Sequence, residues 1–285
     1  MAPKLNLQYI KACELLLPSN DGPVNLVLVG CGGTGSWLSL TVARLARLLV
    51  ETKGKTVRTF FIDPDRVEPK NVYRQNFSDA EVGNFKAETL AFRLSNAFGV
   101  NITALTDIFN PDHLGNIEGT TVLIGCVDNP QARKSLHEYA GHSYSGWRSV
   151  RYYLDAGNWK NSGQVLLGGG PKDSKPFPLE GICACLPLPA TQHPELIDKR
   201  DVGETEESPD TALSCADLAL QGSQGLGVNQ MVASIAGHYL LSMLLTGGLR
   251  TFQTYFDLPS GTMSSTYIIP KTVKALLKAE KEGEA

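Results

Sequence analysis

Apolar runs typical of buried strands alternate with helical stretches through the first half of the chain. The runs occupy residues 24–29, 57–62, 100–105 and 121–127. Apolar positions recur at helical spacing over 34–50 and 85–98, and Gly99 closes the second stretch as a left-handed cap. Strands separated by helices favour a parallel sheet with right-handed crossovers. The pattern therefore predicts an α/β fold, a mostly parallel sheet with flanking helices.

The alternation of predicted strands and helices ends at about residue 150. Further strands are predicted over 151–155 and 163–167, with an antiparallel pair over 251–257 and 262–269 that extends the sheet. An apolar helix is predicted over 228–245. Residues between 171 and 214 are rich in proline and show little periodicity, which indicates a long crossover loop. We expect one domain over 1–285, with a core at 24–168, the crossover loop at 171–214 and a C-terminal helix and strands at 215–285.

Composition narrows the class of protein. The chain has 42% apolar and 19% charged residues, and its formal charge of −3 gives no electrostatic footprint for nucleic acid. No apolar run approaches the roughly 20 residues that span a bilayer. The first residues lack a signal pattern, so we expect a cytoplasmic protein without nucleic-acid or membrane partners. In a reducing compartment its six cysteines would be thiols.

Four glycines lie between the first strand and the first helix, at Gly30, Gly32, Gly33 and Gly35. Missing side chains let backbone approach a phosphate, and a helix N-terminus offers N–H groups and a positive dipole end. Asp63 ends the second strand, where a carboxylate can accept ribose hydroxyls. This context predicts a Rossmann-like nucleotide site, the alternative being a tight turn without a ligand. No lysine stands in the register of a P-loop.

A polar cluster behind the glycine loop is the most specific signal in the chain. It reads Asp63-x-Asp65-x-Val67, Asn71-x-x-Arg74-Gln75, Gly83-x-x-Lys86 and then Val127-Asp128-Asn129 with Arg133. With this cluster the chain resembles the superfamily of ThiF, MoeB and ubiquitin-activating enzymes, over about residues 24–168 and 213–247. Its segments at 194–198, 213–215 and 228–230 most resemble the ThiF-family proteins of bacterial PRTRC gene systems.

The resemblance implies an activity, the adenylation of the C-terminal glycine carboxylate of a ubiquitin-like β-grasp protein with ATP and Mg²⁺. Two anionic groups meet in that reaction, so it needs positive charge and alignment. Arg74 would fork onto phosphate oxygens and Lys86 would add a point charge. Asp128 would hold Mg²⁺. Asn71 and Gln75 would bind phosphates and ribose, whereas Asp65 is expected to be a turn residue.

Two departures from the family pattern bear on partners and metals. Many relatives carry an N-terminal arginine that reaches into the ATP site of a partner subunit, but residues 1–23 here contain no arginine. The homodimer and the trans contribution are therefore open. Many relatives also bind zinc through two C-x-x-C pairs. This chain has only Cys183-x-Cys185 and no cysteine after Cys215, so we expect no zinc.

Cys215 stands roughly where some relatives place the cysteine that accepts the activated protein. An exposed thiol near a helix start can have a lowered pKa and attack an acyl-adenylate. The alternative is an inert cysteine or a helix-capping segment led by Ser214. Cys183 and Cys185 are weaker candidates for the acceptor. The remaining thiols are expected to be packing residues, at Cys13, Cys31 and Cys126.

Two other functions remain open from sequence. A non-catalytic relative could keep the fold and bind a β-grasp partner as a scaffold, which the missing N-terminal arginine favours. An NAD-dependent oxidoreductase is suggested by the glycine loop alone. A nicotinamide site has no need of a cluster made by Arg74, Lys86 and Asp128, so adenylation is the leading hypothesis.

Overall fold

One sheet of eight strands runs through the computed structural model, which describes residues 8–17, 22–115, 117–142, 149–171, 174–198 and 226–283. Its strands are β2 (Val24–Val29), β3 (Val57–Ile62), β4 (Ile102–Leu105), β5 (Gly119–Gly125), β6 (Ser149–Asn158), β7 (Ser162–Gly170), β9 (Thr251–Asp257) and β10 (Thr262–Tyr267). They are ordered β10-β9-β7-β6-β5-β2-β3-β4. Two short strands, β1 (Glu14–Leu15) and β8 (Ile182–Cys183), form a separate parallel pair.

Helices cover both faces of the sheet. They are α1 (Gln8–Lys11), α2 (Gly33–Lys53), α3 (Lys86–Phe98), α4 (Pro130–Gly141), α5 (Pro189–Gln192), α6 (Leu226–Leu241) and α7 (Pro270–Gly283). A π-helical turn, Ser242–Thr246, follows α6. Short 3₁₀ turns occur at Pro69–Asn71, Asp79–Glu81, Pro111–Leu114 and Pro194–Leu196.

The central strand β2 is buried along its whole length because both of its faces are covered. Leu26 and Leu28 pack with α2 in the larger core, whereas Val27 and Val29 pack in a second core on the opposite face. Asn25 is the polar exception, and its side-chain amide donates to Thr121 Oγ1 on the neighbouring strand at 3.1 Å. The continuous apolar run read from the sequence is thus a strand covered on both sides.

The predicted fold class is confirmed. Strands β2 to β6 are parallel, while β7, β9 and β10 extend the sheet in antiparallel fashion. The parallel strands β2, β3, β5 and β6 end at one edge of the sheet, and β7 begins there. Loops after these strands therefore meet at that edge, which is where ligands bind in open α/β sheets.

The predicted crossover loop at 171–214 is wrong for part of its length. Within 174–198 the structure contains β8, α5 and a 3₁₀ turn, two of which begin at a proline. Proline suits the first position of a helix because its missing N–H would be unpaired there anyway. Strand β8 pairs with β1, and Cys13 immediately precedes β1.

Helix α6 and the π-turn together make one segment, Gly227–Thr246, long and apolar enough to cross a membrane by length and composition. The expectation that no segment would reach this length is therefore wrong. Half of the segment is buried in the structure. It packs on α2 and on β6 and β7, which accounts for its apolar character as a core helix.

Strand β7 is crossed closely by the chain that follows β8, and this crossing supplies a test of the fold. A Cβ at Gly168 would lie 2.0 Å from Pro187 O, a backbone atom. We predict that Gly168→Ala lowers the free energy of unfolding by about 3 kcal/mol through overpacking. Gly227, with no atom within 4 Å of its Cβ position, is the matched control. Gly227→Ala should change the free energy by less than about 1 kcal/mol. Urea denaturation of both variants measures the difference, and equal midpoints would contradict the close crossing.

Candidate active site

A cleft of about 900 Å³ opens at the edge where the parallel strands end. Nine of the residues predicted from sequence line it: Gly30, Gly32, Gly33, Asp63, Asn71, Arg74, Gln75, Lys86 and Asp128. Gly35 lies beneath the loop and does not line the cleft. Cys215 lies outside the described residues. The structure thus brings nearly the whole predicted set into one cavity.

The four glycines of the loop are required for different reasons. A Cβ at Gly35 would lie 1.8 Å from Gly30 O, and one at Gly33 would lie 2.8 Å from Asn229 Oδ1. Gly30 has a φ of +87°, and its Cβ would lie 2.4 Å from Cys126 O. These three are required by the protein's own packing. Gly32 is different, because its Cβ would meet only Gln75 Nε2 at 3.9 Å. The missing side chain of Gly32 therefore leaves a space in the cleft wall that fits a phosphate group at the start of α2.

Asp63 ties the glycine loop to the end of β3. Its Oδ2 accepts the backbone N–H of Cys31 at 2.5 Å, and its Oδ1 accepts the N–H of Asp65 at 2.8 Å. Burial raises the pKa of this carboxyl, and the two backbone hydrogen bonds oppose the rise. Each oxygen keeps a further lone pair for a ribose hydroxyl. Asp63 thus holds the loop and can also bind a sugar.

Lys86 is placed by the turn that Asp65 makes. Its side chain is only 9% exposed, and Nζ lies 2.9 Å from Asp65 Oδ2. The backbone N–H of Lys86 also donates to Asp65 O, which fixes the first residue of α3. Asp65 is therefore the counter-charge of the lysine. The ammonium has two more N–H donors for an anion in the cleft.

Arg74 and Gln75 stand at the end of the 3₁₀ turn behind the glycine loop. Trp37 Nε1 donates to Arg74 O at 3.2 Å and anchors this backbone to α2. Among the described residues the Arg74 guanidinium has no hydrogen-bond or ion-pair partner. Gln75 is buried, and its Oε1 likewise has none in that part of the chain. Asn71 is also buried, with its Oδ1 occupied by the N–H of Glu68 at 2.9 Å. Free donors and acceptors thus face the cleft.

Asp128 is exposed at the mouth of the cleft, three residues after β5. No group of three or more His, Cys, Asp and Glu side chains that could hold a metal ion occurs in the described parts of the chain. A single carboxylate nevertheless suits Mg²⁺, which is usually bound by one or two carboxylates together with substrate phosphates. Asp128 can therefore supply a protein ligand for a phosphate-bound Mg²⁺, and the residues present fit that ion.

Two asparagines that were not singled out from sequence hold the glycine loop from behind. Asn229, near the start of α6, accepts from Asn158 Nδ2 at 2.8 Å and from Thr34 Oγ1 at 3.4 Å through the same Oδ1. Its amide also occupies the space that a side chain at position 33 would need. The sequence signals at Asn229 were a polar residue at the start of an apolar helix and the family resemblance of the segment 228–230.

A buried acid below the cleft was missed as well. Asp155 lies within β6 and accepts from Tyr153 OH at 2.7 Å and from Arg133 Nε at 3.1 Å. Burial, followed by the Asp155 charge, raises the pKa of Tyr153 well above its usual range. Burial acts to lower the pKa of Arg133, but the carboxylate outweighs it and the pKa is raised. Arg133 and Asp155 therefore form a buried ion pair.

The sequence was compared with protein-family models and with curated proteins. A family model described as the ThiF family matches residues 23–266. No curated protein matches the sequence.

Several solved structures share the fold. They include E. coli MccB with AMPCPP and MccA (16% identity, TM-score 0.56, covering 87% of this chain and 64% of that one), E. coli MccB with ATP (15%, 0.54, 86% and 64%) and PaaA (14%, 0.53, 86% and 64%). This chain thus spans less than two thirds of each of these neighbours.

Three thiols near the cleft and the crossover are held in their neutral form. Burial raises the pKa of Cys31 and of Cys126 well above the usual thiol range, and it raises that of Cys183 to about 12. Cys183 is also fully buried, with its Sγ 3.2 Å from Cys185 O. A nucleophile must be an accessible thiolate. The structure therefore disfavours Cys183 as an acyl acceptor, while Cys185 is half-buried.

These thiols should resist alkylation. With a pKa of about 12, on the order of 10⁻⁴ to 10⁻⁵ of Cys183 is thiolate at pH 7.5. We predict that native protein treated with iodoacetamide at that pH leaves Cys31, Cys126 and Cys183 unlabelled after free glutathione has reacted fully. Peptide mass spectrometry gives the occupancy of each site. Labelling of all cysteines in guanidinium chloride is the control, and modification of Cys183 at the glutathione rate would refute the assignment.

Proposed function

This chain belongs to the ThiF family, and we propose that it adenylates the C-terminal carboxylate of a ubiquitin-like β-grasp protein that ends in glycine. The observation that carries this proposal is the convergence of Arg74, Lys86 and Asp128 on one cleft, beside the glycine loop. Two cations and a carboxylate suit a nucleotide whose phosphates react. They have no counterpart in the needs of a nicotinamide, so the oxidoreductase hypothesis loses support.

The proposed reaction joins a carboxylate to the α-phosphoryl group of ATP, which is a substrate. A carboxylate oxygen bonds to the α-phosphorus while the bond from that phosphorus to the bridging oxygen of pyrophosphate breaks. No proton moves in this step. The catalytic demand is therefore to align two anions and to neutralise the charge that builds on the phosphoryl oxygens.

The residues of the cleft divide this work between them. The N-terminus of α2 and the space at Gly32 receive phosphate oxygens, and Asp63 accepts the ribose hydroxyls. Arg74, whose guanidinium has no partner among the described residues, forks onto the phosphoryl group, and Lys86 adds a second charge. Asp128 would hold Mg²⁺, which supplies charge neutralisation on the phosphates when bound.

The comparisons support the nucleotide part of the proposal. Structures of E. coli MccB contain ATP, or AMPCPP together with MccA. MccB is a biosynthetic enzyme of microcin C7. At 14–17% identity these structures speak for a shared fold. The β-grasp substrate rests on the sequence resemblance, as do a homodimer, transfer to Cys215 and kinship with the PRTRC-system proteins, and a cytoplasmic location stays a prediction.

Removal of the Arg74 guanidinium tests the proposed reaction. Removal of one preorganised donor to a developing oxyanion costs about 10²- to 10³-fold in rate. We predict that Arg74→Ala lowers ATP–pyrophosphate exchange by that factor, assayed with a β-grasp protein that ends in glycine as the carboxylate substrate. Arg47→Ala is the control, since Arg47 is half-exposed on α2 and pairs with Glu51 outside the cleft.

Calorimetric titration with ATP distinguishes an enzyme from a scaffold. An adenylating enzyme should bind ATP more tightly when Mg²⁺ is present, and Arg74→Ala should weaken that binding. A scaffold that only presents the fold, the second hypothesis, would show no magnesium-coupled binding. Exchange that is unchanged in Arg74→Ala would refute the assigned mechanism.

A further inference from the structure

Arg133 presents most of its guanidinium to the cleft. The residue lies in the first turn of α4 and lines the cleft, with a side chain 15% exposed. Its Nε is taken by Asp155, at 3.1 Å. Among the described residues its two Nη atoms have no hydrogen-bond partner, which leaves four N–H donors. This arginine is therefore a buried cation with unused donors, distinct from Arg74 and Lys86.

Asp155 determines where that guanidinium lies. It is 1% exposed, and one oxygen accepts from both Arg133 Nε and Tyr153 OH. Its other oxygen has no partner within the described ranges. A buried carboxylate is costly unless it is paired, and such a pair contributes more to geometry than to stability. The hydrogen-bonded pair of Tyr153 and Asp155 thus orients the Arg133 guanidinium toward the cleft.

Gln164, the third residue of β7, lines the same part of the cleft. It is 4% exposed. Its side-chain amide has no hydrogen-bond partner in the described part of the chain. An amide that lines a cleft without a protein partner is available to bind a ligand.

Arg133 and Gln164 converge on one point. A Cβ built at Gly157 would lie 3.3 Å from Arg133 Nη2 and 3.4 Å from Gln164 Nε2. Gly157 and Gln164 are also cross-strand partners in β6 and β7. The glycine therefore leaves a small space on the cleft wall with a guanidinium donor and an amide donor beside it. An oxygen atom carrying negative charge is what two such donors bind.

We propose that Arg133 and Gln164 hold one oxygen of the substrate carboxylate, with Asp155 as the positioning residue for Arg133. This inference rests on the proposed adenylation and adds to it the site of the acyl group. One oxygen held in this way leaves the other to attack the α-phosphorus. After the attack, the held oxygen is the carbonyl oxygen of the acyl-adenylate.

The order of the strands supports this assignment. Asp63 follows β3, the glycine loop follows β2, Asp128 follows β5, and Gly157 and Gln164 belong to β6 and β7. These strands are neighbours in the sheet in that sequence. The cleft therefore passes from a sugar site, through a phosphate site, to the acyl site. The α-phosphate would lie between its two reaction partners.

Binding of two probes tests the acyl site without the natural substrate. The first is AMP, and the second is the sulfamoyl analogue of N-acetylglycyl adenylate, which adds an acyl carbonyl to the nucleotide. Wild-type protein should bind the acyl probe more tightly than AMP. Gln164→Glu replaces a donor by a carboxylate of the same size. It should weaken binding of the acyl probe by about threefold to tenfold, because one neutral hydrogen bond to the acyl carbonyl is lost, and leave AMP binding unchanged.

The positioning role of Asp155 has its own variants. Asp155→Asn should lower the ratio of acyl-probe affinity to AMP affinity. Tyr153→Phe should lower this ratio less, because it removes only the hydrogen bond from Tyr153 to Asp155. Glu81→Gln is the matched control, since Glu81 pairs with Arg93 at 2.8 Å and neither residue lines the cleft. It should leave the ratio unchanged. Thermal melting of each variant separates a change in fold stability from a change in this ratio.

The outcomes separate the two proposals. A wild-type protein that binds neither probe would overturn the proposed function itself. A protein that binds AMP but gains nothing from the acyl group would overturn only the acyl site. Variants at Gln164 and Asp155 that weaken both probes equally would show that these residues support the fold rather than the acyl group, which also overturns the inference. Selective loss of the acyl probe supports it.

Discussion

The site depends on one close approach, that of the first turn of α2 to the end of β2. Gly35 lies so near Gly30 O that no side chain fits between them. This contact points the N-terminus of α2 at the cleft and exposes the N–H of Cys31 to Asp63. Asp63 also accepts the backbone N–H of Asp65, and the Asp65 carboxylate in turn pairs with Lys86. A chain of backbone and carboxylate contacts thus connects helix packing to the placement of the Lys86 charge in the cleft.

Charge in the cleft is arranged in layers. The acids nearest the protein interior, Asp63 and Asp155, are occupied by N–H and guanidinium donors. The cations they help to place face the opening, together with Arg74. Low dielectric beneath the cleft strengthens these fixed interactions, so the cations need little rearrangement when an anion arrives. The neutral thiols of Cys31 and Cys126 fit the same scheme, because an anionic thiolate there would oppose a phosphate.

Sequence predicted those parts of the molecule that local patterns determine. The strands at 24–29 and 57–62 follow from apolar runs, and the cap at Gly99 follows from glycine's access to positive φ. Asp63 and the loop glycines were predicted from the strand–glycine–helix context, whereas Arg74, Lys86 and Asp128 came from the resemblance to the ThiF superfamily. Partners that lie far apart in the chain could not be predicted. β1 pairs with β8 across more than 160 residues, and a buried Asp155 in an apolar strand gives no sign of its arginine.

Asn229 has a consequence for how this protein is completed during synthesis. The glycine loop is anchored to it across a separation of 195 residues. Contacts of such long range form late, because the chain between them must first be ordered. A nascent chain that ends before α6 would carry every glycine and most of the charges of the cleft, yet lack the amide that supports Gly33. The support of Gly33 would therefore be complete only after α6 has been synthesised and has packed against α2.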